Sequence, residues 1–589
     1  MPHPAHQDGR PAGVAPPTTR PDRRPWLGPP IVFALSCLVF WLNSRAITMP
    51  PAWRTFEFCQ YAEIGRNLAE EGRFDTRLVE PMALAMLDRA GVKGDRWPVV
   101  DRYPLPCLAV AALMKGFGPT ETAAAWSNGL AIGLLAATCY AAARRWYGPG
   151  WAAAVAVLFL ANPSFYGEFI LLGTPDVWFA AIFVAELVAW SSADFSGGKR
   201  PRLAWAAGLG LLGGLAYLSR FNASIFLGVQ GVSLLARRRW REASAFGLTA
   251  LAVASPIFAY NWLRVGRPVD SLYSAWNLLD RIGAYRVEPW LYYRVPDLAG
   301  ELALNASGVA GKFAANLLVV VPLGIWSLWR LEPLWPLALL APWSAARGTP
   351  QRRFAGWALG LFALQLVTFS ALRLEFEGRA SPHNGRYFFW FAGPAVLLGV
   401  GTLARLSARL RAARPVAVAV VVAQLAVFGW AWWGILPWHL RSSINLGTDP
   451  VRAMLAEVVR DGRVIASNQP QVTAWFVGLR SISLPADPDE VARLNRDSPT
   501  PADYLFIDVN YNCIDLDPNW KLLVTAGPGR PSPWEAGLLR DYDYVLLPRR
   551  TRPIGYVILR RRAVPAGPFE RQFKQGEARP TARFRGTSG

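Results

Sequence analysis

LAWAAGLGLLGGLAYLSRFNASIFLGVQGVSLLARRRWREASAFGLTALAVASPIFAYNW, residues 203–262, holds three apolar segments at 203–219, 221–236 and 243–262, with the basic group Arg237, Arg238, Arg239 and Arg241 between the last two. A bilayer core is about 30 Å thick and takes about 20 apolar residues per crossing helix. Segments of this length, punctuated by arginine, predict membrane-spanning helices. The pattern recurs at 30–47, 123–143, 150–168, 175–192, 309–329, 354–372, 387–404 and 416–436, which brings the expected number of spans to eleven. Pro333 to Trp343 is apolar too, but prolines at 333, 336 and 342 interrupt it, so it is expected to be re-entrant or interfacial. The Gly210–Gly214 spacing predicts close helix packing.

Composition agrees with a membrane protein. Of 589 residues, 52% are hydrophobic and 17% charged, against about 25% charged in soluble domains, so apolar surface exceeds what one core hides. A net charge of +21 admits nucleic acid, an anionic membrane surface or orientation in a bilayer, and the positions of the charges decide. Arg144 and Arg145; Lys199, Arg200 and Arg202; the group at 237–241; Arg330, Arg347, Arg352 and Arg353; and Arg405, Arg409, Arg411 and Arg414 all fall on the side of the N-terminal tail when eleven spans are threaded. By the positive-inside rule that side is cytoplasmic. No nucleic-acid module signature is present, so no nucleic-acid partner is expected. Residues 1–28, rich in Pro and Arg, read as a disordered cytoplasmic tail. Cysteines at 37, 59, 107, 139 and 513 form neither a CxxC pair nor a zinc spacing.

This threading leaves three sizeable segments outside the cytoplasm: Met49–Thr122, Arg264–Gly308 and everything beyond Leu436. Residues 437–562 change to soluble-protein polarity. Asp449-Pro450 and Asp487-Pro488 read as helix starts, 470–477 as helical up to Gly478, and 464–466, 480–484, 504–509, 542–547 and 556–559 as strands. The expectation is a small extracytoplasmic α/β domain without a phosphate-binding glycine fingerprint, followed by a solvated basic tail at 563–589. The fold class is therefore a polytopic α-helical membrane protein of about eleven transmembrane helices with a C-terminal extracytoplasmic α/β domain.

Chemistry is expected at the outer mouth of the helices. The run Phe56-Glu57-Phe58-Cys59-Gln60-Tyr61-Ala62-Glu63-Ile64-Gly65-Arg66-Asn67-Leu68 places a carboxylate just beyond the first span, ahead of a short amphipathic helix. It resembles the first outer loop of the GT-C membrane glycosyltransferases, especially the aminoarabinose lipid A transferase and the protein O-mannosyltransferases. In that family an acid four residues before the tyrosine of a Tyr-Ala-Glu-Ile-x-Arg-like run is the catalytic or metal-associated carboxylate, usually Asp, and here Glu57 takes that place. Asp101-Arg102-Tyr103-Pro104-Leu105-Pro106 resembles the family's acidic-basic-Pro-Pro segment, Thr174-Pro175-Asp176 and Leu218-Ser219-Arg220 resemble further motifs at helix mouths, and His383-Asn384-Gly385-Arg386-Tyr387-Phe388 resembles the segment that faces the lipid phosphate.

The resemblance spans residues 30–405. It implies Glu57 and Asp101 as catalytic acids, and Tyr61, Glu63, Arg102, Asp176, Arg220, His383, Arg386 and Tyr387 as substrate-binding residues. It implies transfer of a sugar from a polyprenyl-phosphate donor, with inversion, to a lipid, glycan or protein acceptor on the extracytoplasmic side of the inner membrane. A divalent cation shared by the acids at 57 and 101 is compatible with it, though none is required. The chemistry is coherent: the acceptor hydroxyl needs a base, and the departing phosphate needs cations, for which guanidinium forks are suited.

Each residue also has a plainer reading. Glu57 could cap its helix or pair with Arg54, and Glu63 could pair with Arg66. Asp176 could complement a helix dipole, and Arg220 and Arg386 could anchor span ends at the interface. The alternative function is a transporter or flippase for a lipid-linked or anionic solute, which predicts ionisable residues near span centres and inverted repeats.

Overall fold

The computed structural model describes residues 27–46, 56–100, 102–163, 165–166, 175–193, 199–266, 277–295, 297–371, 388–410, 413–441, 455–459, 462–508, 520, 523, 533–546 and 556–565. The expected N-terminal tail, the Asp449-Pro450 helix start and most of the basic C-terminal tail lie outside these residues.

Each of the eleven apolar segments falls on a helix. They are Gly28–Ala46 (α1), Glu121–Tyr147, Pro149–Ala161, Asp176–Ser192, Lys199–Ser219, Ala223–Ala236, Trp240–Val265, Ala306–Leu331, Pro350–Ala371, Phe389–Arg409 and Ala413–Arg441. Among the described residues, five stretches are long and apolar enough by themselves to cross a bilayer: Glu121–Tyr147, Trp240–Val265, Pro350–Ala371, Phe389–Arg409 and Ala413–Trp432. Small residues let the helices approach. A Cβ on Gly129 or Gly133 would meet the rings of Phe40 and Phe33 of α1 at 2.7 and 2.8 Å. One on Gly210 would lie 2.3 Å from the Phe246 carbonyl oxygen, and one on Gly214 would meet Val253 and the Ala250 carbonyl, so this glycine pair does seat one helix closely on the next. The proline-interrupted stretch forms two short helices, Trp335–Leu339 and Ala341–Ser344.

The first outer segment is more structured than its polarity suggests. It folds into α2 (Phe56–Glu71), β1 (Asp75–Thr76), β2 (Leu78–Val79), α3 (Pro81–Arg89), β3 (Trp97–Pro98) and α4 (Pro104–Phe117). Proline at the first position suits α3 and α4, because its fixed φ is helical and its missing N–H would be unpaired there anyway.

The C-terminal segment contributes five strands to a six-stranded sheet. Strands β4 (Val464–Ser467), β5 (Arg480–Ser483), β6 (Tyr504–Asp508), β7 (Tyr542–Leu546) and β8 (Tyr556–Arg561) make a sheet of order β2-β5-β4-β6-β8-β7. β2, β5, β4 and β6 run parallel, and β8 runs antiparallel to both of its neighbours, β6 and β7. The edge strand β2 comes from the first outer segment, with Leu78 opposite Ser481 and Val79 opposite Ile482. One face of the sheet packs Val464, Ala466, Ile482, Leu505 and Leu559 against Leu84 and Leu87 of α3 and against Val491 and Leu494 of the helix Pro488–Asp497. That helix is capped by Asp487, whose carboxylate accepts from the Glu490 N–H at 2.9 Å. The other face packs Ile465, Phe506 and Ile558 against Leu455, Val458 and Val459.

The middle outer segment joins them. The Ala486 N–H donates to the Leu291 carbonyl at 2.9 Å, and the Tyr293 hydroxyl to Asp88 at 2.7 Å. All three expected outer segments therefore meet at one end of the helices. Basic residues gather at the other, where Arg353 donates to the Ala193 carbonyl and Arg405 to the Ser344 hydroxyl.

Candidate active site

α2 carries the first motif. Phe58, Cys59 and Ala62 pack into the helical core, while Tyr61 and Ile64 pack on Val99 and Cys107. Gly65 is where α2 crosses α4, since a Cβ there would lie 2.4 Å from Val110 Cγ1. Gly72, at φ +67°, ends the helix and returns its N–H to the Leu68 carbonyl at 3.1 Å, a left-handed closure that glycine adopts without steric cost. Glu57 lies in the first turn, one turn before Gln60 and Tyr61; its side chain is outside the described residues.

Glu63 is buried and fully engaged within the chain. Its Oε1 accepts from Asn67 Nδ2 at 2.7 Å and the Arg77 N–H at 3.1 Å, and its Oε2 from Thr76 Oγ1 at 2.7 Å. These bonds fasten β1 and β2 to α2. Burial pushes the Glu63 carboxyl above its ordinary pKa, opposed by the three hydrogen bonds and by Arg66. The Arg66 guanidinium lies 4.5 Å from the centre of the Trp475 ring and donates to the Trp475 carbonyl at 3.4 Å. Burial lowers the pKa of Arg66. Through this stack the C-terminal unit sits on the helix that carries Glu57.

Arg102 is placed between two elements. Its Nε donates to Gln60 Oε1 of α2 at 2.6 Å, and its Nη2 to Glu80 Oε1, just past β2, at 3.2 Å. Tyr103 follows it, with its ring centre 5.9 Å from the Arg220 guanidinium and edge-to-face with Phe221 at 4.9 Å. Arg220 in turn forms a buried ion pair with Asp176, the two side chains being 9% and 3% exposed. A chain of contacts thus runs from Gln60 through Arg102, Tyr103 and Arg220 to Asp176, uniting four motifs that are far apart in sequence.

Of the residues expected at the site, Arg102, Asp176 and Arg220 belong to this cluster. Tyr61 lies one turn past Glu57 but is packed inward, and Glu63 is committed to Thr76, Asn67 and Arg77. Asp101, His383, Arg386 and Tyr387 lie outside the described residues, as does the Glu57 side chain. Sequence reasoning passed over Gln60, Glu80 and Tyr103. Gln60 was recoverable, because it sits three residues after Glu57 on the same helix face, and Tyr103 because it adjoins Arg102. Glu80 carries no local signal. Among the described residues no group of three or more His, Cys, Asp or Glu is placed to hold a metal ion, and Cys37, Cys59, Cys107 and Cys139 are free thiols. The two acids at 57 and 101 supply only oxygen donors, the type a hard divalent cation takes.

Comparison with known proteins bears on the family and the fold. Residues 101–262, about a quarter of the chain, match the family described as dolichyl-phosphate-mannose-protein mannosyltransferase. No curated protein matches the chain at the sequence level. In three dimensions the chain is similar to ArnT from Cupriavidus metallidurans bound to undecaprenyl phosphate, with a TM-score of 0.52 and 16% identity, over 93% of this chain and 100% of that one. It is likewise similar to the same organism's ArnT in the apo state, with a TM-score of 0.52 and 17% identity, over 90% and 98% of the two chains. The chain thus shares the fold of these ArnT structures over 90% or more of its length and matches the mannosyltransferase family model over residues 101–262.

Proposed function

We propose that the protein is an inner-membrane glycosyltransferase that moves a sugar from a polyprenyl-phosphate donor to an acceptor hydroxyl on the extracytoplasmic side. The observation that carries this reading is the linked cluster Gln60–Arg102–Tyr103–Arg220–Asp176 beside the helix that carries Glu57. The undecaprenyl phosphate held by the similar ArnT structure supports a lipid-phosphate donor here.

In this mechanism Glu57 takes the proton of the acceptor hydroxyl as its oxygen attacks the anomeric carbon. The carbon–oxygen bond to phosphate breaks on the opposite side, inverting the configuration, and the electron pair leaves on the phosphate oxygen. Arg102 and Arg220 stabilise that developing charge, the latter kept in place by Asp176 and Tyr103. Asp101 is a second site acid, and the segment with His383, Arg386 and Tyr387 completes the phosphate site. A divalent cation, where one binds, would be held by Glu57 and Asp101 and would supply charge neutralisation there. The acceptor is a lipid, a glycan or a protein hydroxyl. The transporter alternative is not favoured, since both the sequence match and the fold lie with transferases.

The test is release of free polyprenyl phosphate from a panel of polyprenyl-phosphate sugars, with membrane extract as acceptor source. Wild type should release it from one donor, and Glu57→Gln should lose on the order of 10²–10⁴-fold in rate, the contribution of a positioned base. Undiminished turnover in that variant would show the mechanism to be wrong even within the right family.

A further inference from the structure

At the end of the helices opposite the candidate active site, a cavity of about 260 Å³ is lined by Ser344, Thr349, Gln351, Arg405, Ala408 and Arg409. It is remote from Arg220 and Asp176: the helix Asp176–Ser192 begins in the site and ends beside Ala193, which accepts from Arg353, a separation of about 25 Å at 1.5 Å per residue.

Three observations define what this cavity takes. First, Arg405 is pre-positioned: its guanidinium lies 5.5 Å from the centre of the Tyr147 ring, and its Nη1 donates to Ser344 Oγ at 2.9 Å. A guanidinium held on an aromatic face and a hydroxyl keeps its remaining donors oriented for a bidentate oxyanion. Secondly, the charge is unbalanced, for residues 333–371 and 388–441, which supply the whole lining, contain no Asp or Glu, while Arg347, Arg352 and Arg353 add to the two lining arginines. Thirdly, a buried side-chain amide borders the same space, beside the Thr349 hydroxyl, which is itself engaged with the Ala346 carbonyl at 2.8 Å. Thr349 precedes the helix Pro350–Ala371, and Gln351 has a buried side-chain oxygen without a hydrogen-bond partner among the described residues; half a turn of that amide presents its N–H groups instead.

We propose that this cavity binds a phosphate group, and that its source is the headgroup of an anionic phospholipid. The surroundings favour a lipid over soluble phosphate, because the lining residues are interleaved with exposed apolar side chains: Leu340 and Trp343 before Ser344, and Leu406 and Leu410 beside Arg405 and Arg409. An amphiphile satisfies both surfaces at once, with its phosphate on the arginines and its acyl chains along the apolar flank. Basic pockets between helices on the cytoplasmic side are suited to such headgroups.

The experiment uses the full chain purified in an uncharged detergent, with thermal unfolding and native mass spectrometry after addition of dioleoylphosphatidylglycerol, dioleoylphosphatidylcholine or inorganic phosphate. The expected result is that phosphatidylglycerol raises the unfolding temperature and stays bound, phosphatidylcholine does neither, and Arg405→Gln/Arg409→Gln weakens retention by about tenfold. Arg409→Gln alone, at an exposed residue, keeps the comparison in a folded protein should Arg405 be needed for packing, and is expected to show part of the loss. Arg237→Gln, in another basic loop at the same end, should leave retention unchanged. Equal retention of the two lipids, or a loss as large in Arg237→Gln as in the cavity variants, would overturn the site. Equal stabilisation by inorganic phosphate would overturn the lipid source and assign the cavity to a soluble phosphate.

Discussion

Replacing Asp176 separates the structural and the chemical contributions of its buried partner Arg220. With the two side chains 3% and 9% exposed, Asp176→Leu leaves a guanidinium without its counter-charge in a poorly solvated place. Breaking a buried pair from one side costs about 3–5 kcal/mol, most of it the penalty of the stranded charge. In a chain of this size that corresponds to a fall in the unfolding temperature of about 2–4 °C. Removing both charges, as Asp176→Leu/Arg220→Met, restores an apolar contact of similar volume and should bring stability back to within about 1 kcal/mol of wild type. Activity should not follow. If Arg220 faces the departing phosphate, the double variant is stable and still impaired in release of polyprenyl phosphate. Thermal unfolding in detergent and the release assay read the two quantities from one preparation. A single variant as stable as wild type would refute the buried-pair reasoning, and a double variant that regained both stability and turnover would remove Arg220 from the phosphate site.

Glu63 has a pH signature. Burial raises its folded pKa above the ordinary 4.5, so its contribution to stability is fully present below about pH 4.5 and is lost as pH rises through the folded value. Wild type should therefore lose stability relative to Glu63→Gln as pH rises from about 4.5, whereas Glu63→Ala should be destabilised throughout by about 2–4 kcal/mol through three stranded donors; parallel unfolding curves for wild type and the Gln variant across pH would contradict this. Gly65→Leu should cost about 1–3 kcal/mol, because its side chain would enter the space of Val110, and should slow transfer by moving α2 and Glu57; normal stability and rate would mean that α2 and α4 part without consequence.

The sequence by itself determined the helical architecture, since a segment of about 20 apolar residues has few options but a helix whose backbone hydrogen bonds close internally. It determined β4 to β8 and the Asp487 cap as well, because a period of two and a Pro after an N-cap acid are local signals. It also marked Arg102, Asp176 and Arg220 as candidates, through short motifs whose residue types suit phosphate chemistry. What the sequence could not contain is who meets whom. β2 is two residues long and has no detectable period, yet it closes one edge of a sheet formed roughly 400 residues later, because only the folded chain brings a strand edge to it. Glu63 reads as a possible substrate contact along α2 until Thr76, Asn67 and the Arg77 N–H surround its carboxylate. The Arg66–Trp475 stack and the Arg220–Tyr103 contact join residues whose separation along the chain exceeds any helical or strand period. Such pairings are set by how helices pack and how loops close over them, a free-energy balance of the whole molecule that no local window of sequence records.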